Sequence, residues 1–346
     1  MPSLRILIDR FLDGRAPTIP QADLDEDTRL ALAGQHGDFS LAYSTATQSR
    51  LAHFGDAHGY IAFRTKMGHH FALADPVADP AHHERYVRRF IEAGVYPTFV
   101  QIGEATARLL AGLGYQINQM GFDTKLSLPA HDFSGKLNQT VRYSERWLIK
   151  NGYVFVEEDS HEVHVDVIER LSDDWRAGRI VRRWEMTFLN RPFSAKLGTG
   201  MRRFLLLAPD GELVALLDFD PLSRDGKVIG YTTSFKRKRA HATSHAEIGL
   251  TKFAVDRFRE EGISSVTLGL SPMAGIEPSG FAESDFWRTW FQRSYDSDLI
   301  NRHRFNLRGQ AAFKRRFHGT EEPTYLAFRK GSFMEMFALL RLLKVV

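Results

Sequence analysis

Residues 201–275 read MRRFLLLAPDGELVALLDFDPLSRDGKVIGYTTSFKRKRAHATSHAEIGLTKFAVDRFREEGISSVTLGLSPMAG. The opening gives two apolar strands joined at Asp210-Gly211, a hairpin signal because such a turn needs positive φ. A third strand is expected from Val228 to Phe235, where β-branched and aromatic residues cluster. Lys236, Arg237, Lys238 and Arg239 then read as a basic loop leading into a helix. Ala246, Leu250, Phe253, Ala254 and Phe258 recur at helical spacing, so the helix is placed from Ile248 to Glu261, with Gly262 as its stop. SSVTLGLSPM returns as a further strand.

Strands, a basic loop at a helix start and a returning strand resemble the core of the Gcn5-related N-acyltransferase fold. There the loop and the helix end hold a cofactor pyrophosphate, because backbone N–H groups at a helix start favour an anion. The loop of that family runs Arg/Gln-x-x-Gly-x-Gly/Ala. Here Arg237 to Ala242 keeps the first Arg and the last Ala, but Ala240 stands where the middle glycine belongs, and its side chain hinders close approach of a pyrophosphate.

A chain of 346 residues with 43% hydrophobic and 25% charged residues has enough apolar content for two cores. The formal charge of +4 and 14 histidines lean towards anionic partners. With no cysteine, disulfides, thiolate metal sites and a cysteine nucleophile are excluded. The start, MPSLRILIDRFLDGR, carries acids inside its apolar run and reads as a short helix from Leu4 to Leu12 rather than a secretory signal. No run reaches the ~18 apolar residues of a membrane span, so a cytoplasmic protein is expected, peripheral at most on the inner membrane face.

The first half offers strands at Phe39–Tyr43, Tyr60–Arg64 and His69–Asp75, then a helix at Ala81–Ala93, the strand YPTFVQI, the helix EATARLLAGLGY and a strand pair in INQMGFDTKLSL. This order repeats that of residues 201–275, which suggests two copies of one α/β unit. The expected fold class is therefore α/β, two tandem units with a mixed sheet flanked by helices. The expected divisions are 1–135, a basic connecting helix at 136–152, 153–330, and an apolar terminal helix at 331–346. In the connecting helix Arg142, Arg146 and Lys150 are four apart and share a face suited to an anion. Further on, Trp175, Trp184, Phe188 and Phe193 cluster around Glu185, which becomes a candidate general base if it is turned inward and desolvated. The last helix, Ser332 to about Leu343, is apolar almost all round. It suits either the core or a membrane interface with its cations at the headgroups. The adjacent pairs His69-His70 and His82-His83 diverge on regular structure, so no metal site is expected.

Several segments resemble the C-terminal catalytic domain of phosphatidylglycerol lysyltransferases, the multiple peptide resistance factor type of aminoacyl-lipid synthase. They are ALADPVADP, FVQIGEATARLLAGLGYQINQMGFDTKLSLPAHDFSGKLNQTVRYSERWLIKNGY, WEMTF, LGLSPMAG, FNLRGQAAFKRRF and PTYLAF. The resemblance implies tandem acyltransferase-like units with the chemistry in the second. It implies transfer of an aminoacyl group from aminoacyl-tRNA to a hydroxyl of a membrane lipid such as phosphatidylglycerol, with no cofactor besides the charged tRNA. By position it assigns catalysis to Glu185, Lys314, Arg316 and Lys236. Substrate binding is expected of Arg142, Arg146, Lys150, Arg237, Lys238 and Arg239 for their charge, and of Tyr325, and the terminal helix would meet anionic lipid. The sequence departs from the family at Thr233-Ser234-Phe235-Lys236, where an Asp-Leu-Met-Arg run is usual, and at Thr324, where Arg is usual. The competing expectations are an acyl-coenzyme A dependent N-acyltransferase using the Arg237–Ala242 loop, and a non-catalytic protein that binds nucleic acid or acidic lipid.

Overall fold

The apolar runs of residues 201–275 become half of an eleven-stranded mixed sheet in the computed structural model, which describes residues 9, 11–158, 164–178 and 187–345. Helices α1 (Glu26–His36) and α2 (Ala42–Thr47) lead into strands β1 (Ala52–Asp56), β2 (Gly59–Lys66) and β3 (His69–Ala78). Next come α3 (His83–Gly94), β4 (Thr98–Ile102), α4 (Glu104–Gly112), β5 (Gln116–Ser127) and α5 (Gln139–Lys150). The second half holds β6 (Val154–Glu157), α6 (Val165–Ala177), β7 (Arg202–Leu207), β8 (Leu213–Arg224), β9 (Lys227–Lys238), α7 (Ala246–Glu260) and β10 (Ser265–Pro272). It ends with α8 (Asp285–Asp296), α9 (Asp298–His303), α10 (Leu307–Arg315), β11 (Thr320–Phe328) and α11 (Phe333–Leu342).

Strand order is β1-β2-β3-β4-β11-β5-β10-β9-β8-β7-β6. Only β3–β4 and β9–β10 are parallel, each joined through a helix, as a parallel crossover requires. The repeat expected from sequence is therefore real at the level of topology. The two halves also exchange their last strands. β11, from the chain's end, lies against β4 and β5, while β5 pairs with β10. This makes one continuous sheet, with apolar cores on both sides of β5 and β11.

Several local expectations are corrected. Residues 39–41 form a turn and Ala42–Thr47 a helix instead of a strand, because a short apolar run does not separate the two by periodicity. INQMGFDTKLSL is one twelve-residue strand, β5, rather than a pair. Its Gly121 sits where a Cβ would lie 2.3 Å from the Ser271 carbonyl oxygen, so the β10 backbone can pass close without a turn. β9 continues through Lys238, so Lys236, Arg237 and Lys238 belong to a strand and not to a loop. Pairing with β8 as far as Ala215↔Lys238 holds them there. The expected hairpin at Asp210-Gly211 is present, with Gly211 at φ 85°. The helix expected at Leu4–Leu12 lies largely outside the described residues, although residues 9 and 11–13 are helical. Among the described residues no helix is long and apolar enough to cross a membrane.

Candidate active site

β9 and β10 stay paired over only three positions, Gly230–Thr232 against Ser265–Thr267. Beyond them β10 bulges between Thr267 and Leu270, with Gly269 at φ 78°, and turns towards β5. β9 follows β8 instead. The strands splay, and backbone that would have paired now faces a cavity of about 340 Å³. Thr232 to Arg237 form one wall and Leu268 to Leu270 the other, with Asn190, Gln310, Phe313 and Lys314 also lining it. Ser40, Leu41 and Gln101 enter from the first half of the chain. β3 and β4 splay in the same way after Leu73 and Val100. There, however, the Asp75 carboxylate accepts the Gly103 N–H at 3.0 and 3.2 Å and closes the start of α4 from within.

Lys314 reaches the cavity from the last turn of α10. Its Nζ donates to the carbonyl oxygens of Gly269 and Leu270 at 2.7 and 2.5 Å. Burial drives its pKa down to about 7; Asp123 opposes the shift and Lys236 adds to it. A neutral amine donating two N–H groups to carbonyls keeps one lone pair for a third partner. Asp123, opposite Leu270 in the β5–β10 register, is buried and accepts the Ser40 hydroxyl at 2.5 Å. Burial raises its pKa.

Lys236 lies over the Phe313 ring, 3.3 Å from its centroid, and burial lowers its pKa while Glu247, 3.5 Å away, opposes the shift. Arg237 is buried between aromatic rings, 4.0 Å from the Phe193 centroid and 4.4 Å from that of Trp175. Behind them Arg191 grips Asp220 through two hydrogen bonds of 2.8 and 3.1 Å and reaches Ser234 Oγ at 3.3 Å. Tyr43 stands beside this pair, its pKa pushed up to about 12 by burial and by Asp220.

The structure thus brings Lys314, Lys236 and Arg237 together around the cavity, with the charges of Lys238 and Arg316 near enough to lower the pKa of Lys236. Arg316, two residues past Lys314 at the end of α10, is exposed and off the face that carries Lys314 into the cavity, yet its charge still bears on Lys236. Lys238 is paired with Glu247 at 3.0 Å, and Arg239 with Glu212 at 3.2 Å and with Asp174. Tyr325 packs in the first-half core against Phe281, 5.8 Å between rings. In α5 the expected single row is split. Arg142 folds back onto the carbonyls of Phe133 and Gly135, whereas Arg146 and Lys150 are exposed. Glu185 and Trp184 lie outside the described residues.

The start of α7, where a pyrophosphate was one expectation, packs against α5 through the ring of His245. Ser144 of α5 meets His245 at 3.0 Å, and Trp147 packs 4.9 Å from the same ring. Sequence reading missed Asp123, Ser40 and Gln101. The available signal was a lone acid within the apolar run of β5, since unpaired acids are seldom buried in strands.

The match to the family described as phosphatidylglycerol lysyltransferase, C-terminal, covers residues 30–328. Among solved structures, L-PGS from Bacillus licheniformis superposes with a TM-score of 0.77 at 18% identity, covering 95% of this chain and 98% of that one. The C-terminal domain of a protein described as a lysylphosphatidylglycerol synthetase from Agrobacterium fabrum gives 0.74 at 22% identity, covering 91% and 95%. A conserved protein of unknown function from Bacteroides thetaiotaomicron gives 0.61 at 14%, covering 90% and 99%. A search of curated proteins returns no match. With most of its length matched by the family and its fold shared by these neighbours, the chain belongs to the phosphatidylglycerol lysyltransferase C-terminal family, a family of acyltransferases.

Proposed function

We propose that this protein moves an aminoacyl group from aminoacyl-tRNA to a hydroxyl of a membrane lipid such as phosphatidylglycerol, at the cavity between β9 and β10. The observation that carries this reading is Lys314, an amine held near neutrality by burial and anchored on two carbonyls in a splayed, partly polar cavity. Transesterification needs a proton acceptor for the attacking hydroxyl and positive or N–H groups at the developing oxyanion. Lys314 supplies the acceptor. It takes the hydroxyl proton as the lipid oxygen attacks the ester carbonyl, and the proton then passes to the departing ribose oxygen of the tRNA. Lys236, on the same cavity, supplies positive charge for the oxyanion. Arg146 and Lys150, exposed on α5, are available to tRNA phosphates, which are held by charge and released by salt. The protein would work at the cytoplasmic face of the membrane without a bound cofactor.

The test is transfer of radiolabel from a mixture of charged tRNAs into the organic phase in the presence of anionic vesicles, with acetyl-coenzyme A as the competing donor. Lipid label that is lost in Lys314→Ala supports the reading and reveals the amino acid. Acetyl transfer to amines without lipid label overturns it.

A further inference from the structure

Gln101 is skipped where the register of β4 against β11 slips, for Tyr325 pairs with Ile102 and Leu326 with Val100. On the other side of β4 the parallel ladder with β3 has just ended at Leu73↔Val100. The backbone of Gln101 takes φ 57°, the left-handed region in which any residue with a Cβ is strained. The bulge of β10 meets the same geometrical need with Gly269, at φ 78°. A glycine in β4 would be free of the strain, so what sets the position apart is the glutamine side chain.

That residue lines the cavity between β9 and β10 and is only 7% exposed. Among the described residues its carboxamide has no hydrogen-bond partner. A buried amide without a partner is unfavourable in its own right, and strained backbone enforced by the surrounding fold gathers where a ligand is held. Both features coincide here on a group with a carbonyl acceptor and two N–H donors.

The neighbouring groups select which end of the carboxamide is used. Ser40, which also enters the cavity from the first half of the chain, donates its hydroxyl proton to Asp123 at 2.5 Å. Only its oxygen lone pairs are then left for a ligand. The second half lines the cavity with the amines of Lys314 and Lys236, and its acid, Asp220, is already gripped by Arg191. Donors and positive charge therefore come from the second half, and acceptors from Ser40 and Gln101. An aminoacyl ester is complementary to this division. Its carbonyl oxygen takes donors, while its α-ammonium, two bonds from the carbonyl carbon, needs acceptors and is repelled by the lysines.

We propose that Gln101 recognises the α-ammonium of the aminoacyl group, its Oε1 accepting one N–H and Ser40 Oγ another, and so confines transfer to donors whose α-amine is free. The proposal rests on the transfer reading for its substrate and adds to it a specificity-determining residue from the first half. Two measurements on the full chain test it. Binding of glycinamide, an aminoacyl analogue small enough to make no demand on a side-chain pocket, is followed by NMR saturation transfer against N-acetylglycinamide. Transfer into the lipid of anionic vesicles is followed from charged tRNAs with and without N-acetylation of the aminoacyl group.

The wild type is expected to bind glycinamide and not its N-acetyl derivative, and to prefer the free donor by about a hundredfold or more. Gln101→Ala and Gln101→Gly should each abolish the glycinamide signal and raise KM for charged tRNA by roughly tenfold, with kcat little changed. Gln101→Gly is the decisive variant, because glycine suits φ 57° better than glutamine and the thermal midpoint should hold or rise. Were Gln101 only a structural residue, that variant would transfer as well as the wild type. The proposal is overturned if Gln101→Gly keeps the wild-type KM, if the N-acetylated donor is used as readily as the free one, or if the wild type binds glycinamide no better than N-acetylglycinamide. The two readings fail separately. Binding of glycinamide through Gln101 with no label in lipid upholds the α-ammonium site and sinks the proposed reaction, whereas lipid label undiminished in Gln101→Gly does the reverse.

Discussion

Replacing Lys314 by methionine removes a buried amine while keeping most of its volume, so stability and activity should move in opposite directions. Holding the amine at about 7 instead of 10.5 corresponds to at most about 5 kcal/mol at about 1.4 kcal/mol per pH unit. Two discounts apply. The variant leaves the Gly269 and Leu270 carbonyls without their donor, at about 1 kcal/mol each, and partial solvent contact weakens the electrostatic cost. A net stabilisation of about 2 kcal/mol at neutral pH and below remains. The sign follows from linkage. Between about pH 7 and 10.5 the unfolded chain binds a proton at Lys314 that the folded chain does not, so wild-type stability rises with pH across that window. Below pH 7 both states are protonated and the cost of the buried charge is full. The advantage of Lys314→Met should therefore be constant below about pH 7 and shrink by about 1.4 kcal/mol per unit above it. Urea denaturation of both proteins from about pH 6 to 9 measures this. A variant that is uniformly less stable, with no dependence on pH, would refute the reasoning. It would mean that the amine titrates normally and serves only to tie α10 to β10.

Two further outcomes test the surroundings of the cavity. Asp123 is the acid that raises the pKa of Lys314, so Asp123→Asn should move the acid limb of the kcat/KM profile to lower pH by about one unit, with little change in KM; an unmoved limb would separate Asp123 from the titration. Gly249 of α7 faces α5, and a Cβ there would lie 2.4 Å from Leu148 Cδ1. Gly249→Ala should cost about 1–3 kcal/mol in urea denaturation by forcing the helices apart, and an unchanged midpoint would show that Leu148 can turn away freely.

Much of the architecture was legible because its signals are local. Periodicity placed α7 within two residues of its observed start, and Asp210-Gly211 fixed the β7–β8 hairpin. The order of strands and helices also revealed the repeat, since each parallel step needs its crossover helix. The candidate site was legible only in part. Lys314 and Lys236 were named through family likeness, and both line the cavity. Arg239 and Arg142 were named for their charge alone, but folding uses Arg239 in ion pairs and Arg142 on backbone carbonyls. A sequence displays a cation without its counter-ion. Its partner is decided by chain segments far away, such as Glu212 for Arg239.

By itself the sequence determined the kind of elements, their order and the α/β class, because those depend on propensity and spacing within a dozen residues or so. Tertiary structure alone decided that β5 and β11 change places to make one sheet, and this puts Asp123 opposite Leu270 and beside the Lys314 anchor. The same packing sets the amine's pKa. Burial and neighbouring charge act across space, and residue spacing along the chain carries neither.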